Sequence, residues 1–494
     1  MYLVNRLGLF EIKLPKKTMH RCGKCDVEFQ KKKTLEQHVQ YIHKSDLPSV
    51  KKILILGGGF GGTNILKDVQ NMYQNDVNID ISIVNQDNFF LFTPMLPEVA
   101  SGMIHPSDIS VPIRKFCKRA KFYQAIVSSI DLKQKLVTVT RTFDGKVHAL
   151  EYDYLILALG SKTNFFGNKN MEKYSFTIKT IEDAIGIRNH SINMLENAGQ
   201  TGDPDLQQKL LTFTVIGGGF AGVETIGEIN HFIREAAAST YPNIKKEKIN
   251  MILVSSRRGI LPEVPEKLGK TAMKYLKKEG VRVITNTKAI DADEDFVLLD
   301  NDEKIPCTTL IWAGGVNVDP VISDLKCEHG DSGKIKVDKF LRVVGYPNVF
   351  ALGDCAEILD YATKKPYPPT AQHAIHQSAT VSHNLKTSIS GKNETKVFSY
   401  QSKGMMATIG KRSAIVSILG HNVQGVIAWL IWRTYYLAQM PTFEKRIKVS
   451  IDWFVDSFFK RDLTCVGKIK KKTLTKVDIK EEVPTLKELL FPDL

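Results

Sequence analysis

Two glycine-rich segments constrain the fold of this chain more than any other feature. Residues 57–62 read GGGFGG and residues 217–222 read GGGFAG, and each follows a short apolar segment and precedes a helical pattern. In such a turn the first glycine permits a sharp bend, the second lets the backbone approach a diphosphate, and the third lets helix and strand pack closely. The helix N-terminus then attracts the anion. The two copies predict two dinucleotide-binding units.

The two turns begin 160 residues apart, which is about the length of one domain. We therefore predict an α/β fold with two Rossmann-like domains, one for FAD and one for NAD(P)H. The flavin domain is expected first, because folds of this kind place it there. The candidate cofactor-binding glycines of the turns are Gly57, Gly59, Gly62, Gly217, Gly219 and Gly222.

The length of 494 residues exceeds what one hydrophobic core usually organises, and several domains are expected. A hydrophobic content of 43% and a charged content of 24% exclude a disordered or fibrous chain. The predicted segments are a metal finger (18–45), the first part of the flavin domain (46–180), the nicotinamide nucleotide domain (181–320), the second part of the flavin domain with a quinone-site segment (321–400), a C-terminal membrane or dimer region (401–467) and a charged tail (468–494).

The residues that end the second strand of each unit depart from the usual dinucleotide pattern. An acidic residue usually stands there and accepts hydrogen bonds from the adenosine ribose. The first unit has Asn85 instead, and the second has Ser255 followed by Arg257 and Arg258. A missing carboxylate with added guanidinium groups suits a 2′-phosphate, so NADPH is expected alongside or instead of NADH. Ordinary surface arginines are an equal alternative.

Two further apolar segments end in residues suited to a flavin. Residues 152–160 (YDYLILALG) read as a buried strand ending in Gly160, which can pass close beneath a nucleotide. Residues 348–354 (NVFALGD) end in Gly353-Asp354, and the Asp354 carboxylate can accept hydrogen bonds from the ribityl hydroxyls of FAD at the carboxyl end of a strand. Both segments favour a flavin in the first unit.

These motifs, in this order, resemble the pyridine nucleotide-disulfide reductase type of flavoprotein, and most of all type II NADH dehydrogenase, the single-subunit NADH:quinone oxidoreductase. The resemblance runs from about residue 52 to 462. It rests on residues 91–100 (LFTPMLPEVA), 179–184 (KTIEDA), 222–225 (GVET), 309–316 (TLIWAGGV) and 369–377 (PTAQHAIHQ). The last is similar to the family's A-Q-x-A-x-Q-Q quinone-site motif, except that His376 replaces the first of the paired glutamines.

The resemblance implies a respiratory enzyme that does not pump protons, in which NADH gives a hydride to the flavin and a membrane quinone then takes two electrons. It implies a catalytic role for Glu224 near flavin and nicotinamide, and for Gln372, His376 and Gln377 near the quinone. Gly315 and Ala371 are further candidates for cofactor contact. An imidazole titrates near neutrality, so His376 could donate a proton to quinol; a helix-face residue that merely stacks on its neighbours is the alternative.

The C-terminal region is basic and aromatic. Ile447, Ile451, Phe454 and Phe458 recur at helical spacing, with Lys448, Asp452, Asp456 and Lys460 opposite, and residues 428–436 are rich in Trp and Tyr. Such helices can lie in the headgroup layer, so we expect peripheral attachment to the cytoplasmic side of the cell membrane. Burial within the protein or against a second copy of a homodimer is the alternative. No apolar run is long enough to span a bilayer.

A candidate zinc finger precedes the first glycine turn. Cys22, Cys25, His38 and His43 have the spacing of a ββα Cys-Cys-His-His finger, with Phe29 and Leu35 as its small core. Three lysines, residues 31–33, stand where the finger helix begins, so weak nucleic-acid binding is one role, and protein or anionic-lipid contact is another.

Two other functions remain open from the sequence. Sulfide:quinone reductase shares this fold but needs a reactive cysteine pair near the flavin, and no cysteine follows Gly160 until Cys307. A redox sensor whose output is the finger on nucleic acid is the second, although it would need no quinone segment. The seven cysteines form no disulfide framework, which suits a reducing compartment.

Overall fold

The computed structural model describes residues 20–21, 27–29, 34, 50–330 and 332–465. The chain crosses repeatedly between two units. The first unit contains the described residues up to Asn88, together with Pro112–Gly160 and Pro320–Ser399. The second contains Phe89–Val111, Ser161–Asp319 and the described residues from Tyr400 onward.

The strands are numbered in chain order. They are β1 His20–Arg21, β2 Glu28–Phe29, β3 Lys51–Leu56, β4 Ile79–Asn85, β5 Phe89–Leu91, β6 Ser110–Pro112, β7 Lys121–Asp131, β8 Leu136–Arg141, β9 Val147–Glu151, β10 Tyr154–Leu157, β11 Lys162–Thr163, β12 Phe176–Thr177, β13 Thr212–Ile216, β14 Asn250–Val254, β15 Val281–Ile284, β16 Ala289–Ala292, β17 Phe296–Leu299, β18 Lys304–Pro306, β19 Thr309–Trp312, β20 Val316–Asn317, β21 Ile335–Lys336, β22 Arg342–Val343, β23 Tyr346–Ala351, β24 Ala356–Glu357, β25 Gly404–Gly410, β26 Ser413–Ile418 and β27 His421–Gly425.

The α-helices are numbered in the same way. They are α1 Phe60–Met72, α2 Leu96–Ala100, α3 Lys169–Tyr174, α4 Ile181–Gln200, α5 Pro204–Leu210, α6 Phe220–Thr240, α7 Glu266–Lys278, α8 Pro320–Ser323, α9 Ala371–Ser390, α10 Val426–Gln439 and α11 Phe443–Phe458. Short 3-10 turns lie at Thr93–Met95, Pro106–Ile109, Ile113–Lys115, Lys246–Lys248 and Gly353–Cys355.

The first unit is built on an eight-stranded sheet in the order β22-β23-β10-β3-β4-β7-β8-β9. Its middle strands, from β23 to β7, run parallel. Strand β10 and the last four residues of β3 are continuous apolar runs, in which Ile55 and Leu155 are fully buried. Strands buried on both faces need such runs, because helices cover a parallel sheet on each side. Helix α9 packs against α1 in this unit.

The second unit contains a five-stranded parallel sheet in the order β12-β19-β13-β14-β15. Helix α6 follows β13, as α1 follows β3 in the first unit. A core of β13, β14 and β19 residues, among them Ile216, Val254 and Trp312, packs with the antiparallel strands β16–β18. Both predicted strand–turn–helix units are therefore present, and the predicted α/β fold is confirmed.

The C-terminal part of the second unit has an antiparallel sheet, β25-β26-β27, followed by α10 and α11. Lys445, Val449 and Trp453 form the buried face of α11. Its apolar stripe points outward, with the exposed side chains Ile447, Ile451, Phe454 and Phe458. On the side that the sequence indicated as polar, the Asp452 carboxylate accepts a hydrogen bond from the backbone N–H of His105 at 3.1 Å. Among the described residues, no helix is long and apolar enough to cross a bilayer.

The division of the chain differs in two places from the segments expected from the sequence. Residues 161–180, expected in the flavin domain, lie in the second unit, because β12 pairs with β19 at the edge of the five-stranded sheet. Phe89–Val111 also lies there, because α2 packs against α4 and α6. Near residues 320 and 400 the expected boundaries and the unit boundaries nearly coincide.

The predicted zinc ligands, Cys22, Cys25, His38 and His43, lie outside the described residues. Nearby, β1 and β2 pair antiparallel, with His20 opposite Phe29. In the part of the chain that the structure describes, no group of three or more His, Cys, Asp and Glu side chains is placed to hold a metal ion.

Candidate dinucleotide-binding sites

The first glycine turn has a separate structural reason for each of its glycines. A Cβ atom on Gly57, whose φ is +105°, would collide with the carbonyl oxygen of Ala158, and one on Gly62 would collide with the carbonyl oxygen of Gly57. A Cβ on Gly59 would meet no described atom within 4 Å. The fold therefore does not require glycine at position 59, and the open space above it suits a diphosphate at the start of α1.

The second turn repeats this arrangement. Added Cβ atoms on Gly217 and Gly222 would collide with the carbonyl oxygens of Ala313 and Gly217, and one on Gly219 would meet no described atom within 4 Å. Helices α1 and α6 begin after Gly59 and Gly219, and no described side chain caps either helix. An uncapped helix N-terminus offers backbone N–H groups and a positive dipole end to an anion. Both turns thus fit a dinucleotide.

The side chain of Asn85, at the end of β4, forms a hydrogen bond with the first glycine turn. Its Oδ1 accepts a hydrogen bond from the backbone N–H of Gly58 at 2.7 Å, and its Nδ2 donates to the carbonyl oxygen of Asp87 at 2.9 Å. From the sequence, this position is the one at which a side chain is expected to bind the adenosine ribose. The structure adds a role for the amide within the protein, which holds the turn against the strand end.

The corresponding position in the second unit is Ser255. Its hydroxyl donates to the carbonyl oxygen of Gly259 at 2.9 Å and accepts from the backbone N–H of Arg257 at 3.3 Å. These bonds close a tight loop at the end of β14. Arg257 and Arg258 are exposed on this loop, and no ion pair engages either guanidinium within the described part of the chain.

The strand ends expected near the flavin lie in the first unit. Gly160, just after β10, has a φ of +69°, and Gly353 has a φ of +72°. The backbone N–H of Gly353 donates to Oε1 of Gln377 at 2.8 Å, so the Gly353-Asp354 turn is tied to α9. In the second unit, Gly315 accepts a backbone hydrogen bond from Asn164 at 3.0 Å, and a Cβ there would lie 3.0 Å from the ring of Phe166.

The proposed quinone motif forms the first turns of α9. The helix begins at Ala371 after the N-cap Thr370, whose hydroxyl accepts from the backbone N–H of His373 at 3.3 Å. Gln377 is buried, Gln372 is half-buried and His376 is exposed. The candidate residues therefore have different surroundings. The Gln377 amide accepts a hydrogen bond from the Gly353 turn, and the His376 side chain is exposed.

Glu224 lies in the second unit on α6, one turn after the glycine motif. It is buried, and its Oε1 accepts a hydrogen bond from the backbone N–H of Thr408 at 3.1 Å. Burial raises the pKa of this carboxyl to about 8, and the nearby Glu228 adds to the rise. Near neutral pH the carboxyl therefore holds a proton that it can give up.

Around Glu224 the structure reveals a buried ionic cluster that the sequence did not indicate. Glu98 of α2 is fully buried, and burial with the neighbouring Glu228 raises its pKa to about 8. The guanidinium of Arg461 lies 3.6 Å from Glu228 and 2.8 Å from Asp456. No local pattern could have found this cluster, because its members come from distant parts of the chain: Arg461 also donates to the carbonyl oxygen of Ser101, 360 positions away.

The described cysteines, from Cys117 to Cys465, are all free. Cys355, next to the Gly353-Asp354 turn, is fully buried, and burial raises the pKa of its thiol to about 11. A thiol with so high a pKa is a poor nucleophile at neutral pH. Cys307 is buried as well, with its pKa likewise raised to about 11. These sites do not support sulfide chemistry.

Comparison with known families matches two consecutive parts of the chain. Residues 51–378 match the model of the pyridine nucleotide-disulphide oxidoreductases, and residues 402–462 match that of the NDH2 C-terminal domain. A probable NADH dehydrogenase of Dictyostelium discoideum is 32% identical over 84% of this chain and 91% of its own length. The type II NADH:quinone oxidoreductase Ndh of Mycobacterium tuberculosis is 31% identical over 83% of this chain and 88% of its own length.

Solved structures show the same fold. NDH2 from Plasmodium falciparum in complex with NADH aligns with a TM-score of 0.78 at 23% identity, over 84% of this chain and 99% of that protein. The sulfide:quinone oxidoreductase of Aquifex aeolicus aligns with a lower TM-score of 0.64 at 19% identity, over 83% of this chain and 96% of that protein.

Proposed function

Because the chain belongs to the type II NADH dehydrogenase family, we propose that it is an FAD-dependent enzyme that oxidises NADH and reduces a membrane quinone. The family match extends over both units, and the curated relatives in it are NADH:quinone oxidoreductases. The observation that carries the proposal is the space at Gly59 and Gly219, where an added Cβ would meet no described atom within 4 Å. Each unit thus has its own place for a diphosphate.

When bound, FAD supplies the hydride and electron chemistry of the reaction. The residues of the chain supply position and protons. In the first unit the turn at Gly59, the carboxylate of Asp354 and the backbone at Gly160 would hold the flavin nucleotide. In the second unit the turn at Gly219 would hold the nicotinamide nucleotide. Glu224 keeps a proton on its carboxyl at neutral pH, so it can serve as an acid.

The test is an anaerobic titration of the flavin-loaded protein. NADH should bleach the flavin absorbance, and a short-chain quinone should restore it. Sulfide is the comparison that distinguishes the related sulfide:quinone reductases, and it should leave the absorbance unchanged. A flavin that sulfide bleaches and NADH does not would exclude the proposed activity.

We also propose that NADPH is accepted as a donor through the loop after β14. This loop has no carboxylate at Ser255, the position where a ribose-binding acid usually stands, and it exposes the guanidinium groups of Arg257 and Arg258. Arg257→Ala should weaken NADPH more than NADH, by about tenfold for one lost charged hydrogen bond. Arg412→Ala, in the same unit, is the control. Equal losses for both nucleotides would contradict the proposal.

We propose that Gln372, His376 and Gln377 of α9 lie next to the quinone headgroup. The support is the family resemblance of residues 369–377 and the exposure of His376 at the start of a well-capped helix. His376→Gln restores the paired glutamines of the family motif. This variant should keep quinone reduction, whereas His376→Ala should raise the KM for quinone because it removes a polar side chain from the site. A KM for quinone that His376→Ala leaves unchanged would remove His376 from the site.

We propose that the C-terminal helices attach the protein peripherally to the cytoplasmic face of a membrane. The outward stripe of α11 borders a groove of 420 Å³ that contains Arg446 among apolar side chains, an arrangement suited to an anionic lipid surface. Phe454→Glu should reduce binding to anionic vesicles, with Glu444→Lys as a charge-changing control on the polar side. If Phe454→Glu abolishes a dimer and leaves vesicle binding unchanged, the stripe contacts a second copy of the chain instead.

For residues 18–45 we propose a zinc finger with the ligands Cys22, Cys25, His38 and His43. The ligand spacing and the antiparallel pair β1–β2, which brackets the two cysteines in the chain, support it. Purified protein should contain about one zinc ion per chain, and Cys22→Ser should lose it without losing flavin. Equal zinc contents in the parent and the variant would exclude the finger.

A further inference from the structure

Four titratable side chains follow one face of α6, and we name them the α6 seam: Glu224, Glu228, His231 and Glu235. Their spacing of four, three and four residues places them on the same side of the helix. The inner two are buried, whereas the side chains of His231 and Glu235 are 24% and 28% exposed. The seam therefore runs from the end of the helix that carries the glycine turn outward to solvent.

Two contacts lie along the seam, one at its buried part and one at its outer end. Ser101 donates to Glu228 at 3.4 Å, and the Nε2 of His231 lies 3.4 Å from the carboxylate of Glu235. Lys411 pairs with Glu235 at 3.3 Å. The other titratable and charged groups that face the seam are Glu98 of α2, Tyr275 of α7, Arg433 and Tyr436 of α10, Asp456 of α11, and Arg461.

Burial favours protons on the inner carboxyls of this cluster, against the opposing effect of the arginines. Burial is the main cause that raises the pKa of Glu224 and Glu98 to about 8, and it also raises that of Glu228. Burial, assisted by Arg461 and Lys411, lowers the pKa of His231 to about 4. At neutral pH the imidazole is therefore uncharged and can accept a proton on one nitrogen while it releases one from the other.

The reaction proposed above consumes one proton in addition to the hydride that NADH supplies. NADH, one proton and a quinone yield NAD⁺ and a quinol, and both electrons come from NADH. We propose that the α6 seam carries this proton from solvent at Glu235 and His231, through Glu228, to Glu224. Each group that gives a proton inward takes one from its outer neighbour, and water restores the last. This inference rests on the proposed function and extends it with Glu228 and His231 as positioning residues.

The kinetic test separates the two halves of the reaction in the flavin-loaded enzyme. Stopped-flow absorbance follows bleaching by NADH and recovery with a short-chain quinone, from about pH 6 to about pH 9. Glu228→Gln should leave bleaching unchanged and slow recovery about tenfold, less than the loss of a direct proton donor. His231→Leu should slow recovery similarly, most strongly at high pH. Glu266→Gln, an exposed carboxyl on α7, should match the parent.

Infrared difference spectroscopy supplies a readout that does not depend on turnover. The carbonyl stretch of protonated carboxyls should disappear as the pH of the resting enzyme is raised through about 8. Glu228→Gln removes a carboxyl whose ionisation raises the pKa of Glu224, so the Glu224 band should titrate at a lower pH in this variant. If Glu228→Gln does not fold, the recovery rate of His231→Leu tests the proposal in its place.

Two failures can be told apart. A parent enzyme that NADH does not bleach would contradict the proposed function itself. A parent that NADH bleaches and quinone reoxidises, with recovery rates and infrared titrations that neither Glu228→Gln nor His231→Leu alters, would overturn the seam alone.

Discussion

Glu98 shows how strongly one buried carboxyl can depend on its surroundings. It lies on a five-residue helix, it is fully buried, and its neighbours include one further carboxyl and two guanidinium groups. Burial disfavours the charged form more than the arginines favour it, and its pKa therefore rises. The native protein thus binds this proton more tightly than the unfolded chain does.

A pH dependence of stability follows from this shift. The pKa of Glu98 rises on folding from 4.5 to about 8, so its stabilising effect is complete at low pH and is lost as the pH rises through about 8. In Glu98→Gln the side chain stays neutral, and its Tm should fall less than that of the parent from pH 6 to about pH 9. Parallel Tm curves for parent and variant would contradict the assigned burial; Glu266→Gln is the exposed control.

Asn85 allows a second prediction about a single side chain. Its amide accepts the Gly58 N–H at 2.7 Å and so holds the first glycine turn in place. Asn85→Ala leaves this N–H without its partner, which should weaken FAD binding by about fivefold to tenfold, as expected for one hydrogen bond of about 1 kcal/mol. Fluorescence of released flavin measures the change. Asn78→Ala, at an exposed position before β4, should not release flavin.

Among the elements, the two glycine turns combine positions required by the fold with a position that we propose a ligand requires. A Cβ at Gly57 or Gly62 would collide with a backbone carbonyl oxygen, whereas a Cβ at Gly59 would meet no described atom within 4 Å. The same difference holds between Gly217 and Gly219. Stability and binding should therefore respond differently to alanine at neighbouring positions of one turn.

This difference predicts opposite behaviour of two variants. Gly59→Ala, where φ is −79°, should unfold at the same temperature as the flavin-free parent and should fail to retain FAD. Gly57→Ala combines a φ of +105° with a collision, and it should lose about 1–3 kcal/mol or more of stability. Thermal unfolding and flavin absorbance measure both. Normal flavin content in Gly59→Ala would show that no diphosphate lies over this glycine.

The turns were predictable because all their information is local. Six residues, an apolar strand before them and a helix after them define the unit, and the structure confirms the strand–turn–helix order at Gly57 and Gly217. Glu98, Glu228 and Arg461 could not be grouped from the sequence, because only the packing of α2 and α6 with the residues after α11 brings them together. The outward direction of the α11 stripe was equally hidden, since periodicity defines a face but not what covers it.

At the scale of the whole molecule, each unit has its own nucleotide turn and its own sheet. Two cofactor sites built on separate sheets should fail independently. Gly219→Ala should retain its flavin and lose reduction by NADH, and Gly59→Ala should lose flavin and keep NADH affinity within about tenfold. Absorbance and titration calorimetry measure the two properties. Loss of both cofactors in either single variant would show that the sites are not separable.

The short ribbon of β11 and β20 bears on how such a chain can be rearranged. Lys162 pairs with Asn317 and Thr163 with Val316, and Lys162 also forms a 2.8 Å ion pair with Asp319. The beginning and the end of the stretch between the two strands are therefore hydrogen-bonded neighbours. A segment that leaves where it enters can be exchanged for another of different specificity, provided that the replacement keeps its contacts with the rest of the unit, such as that of Glu224 with Thr408. Nicotinamide preference could thus be transplanted as a cassette.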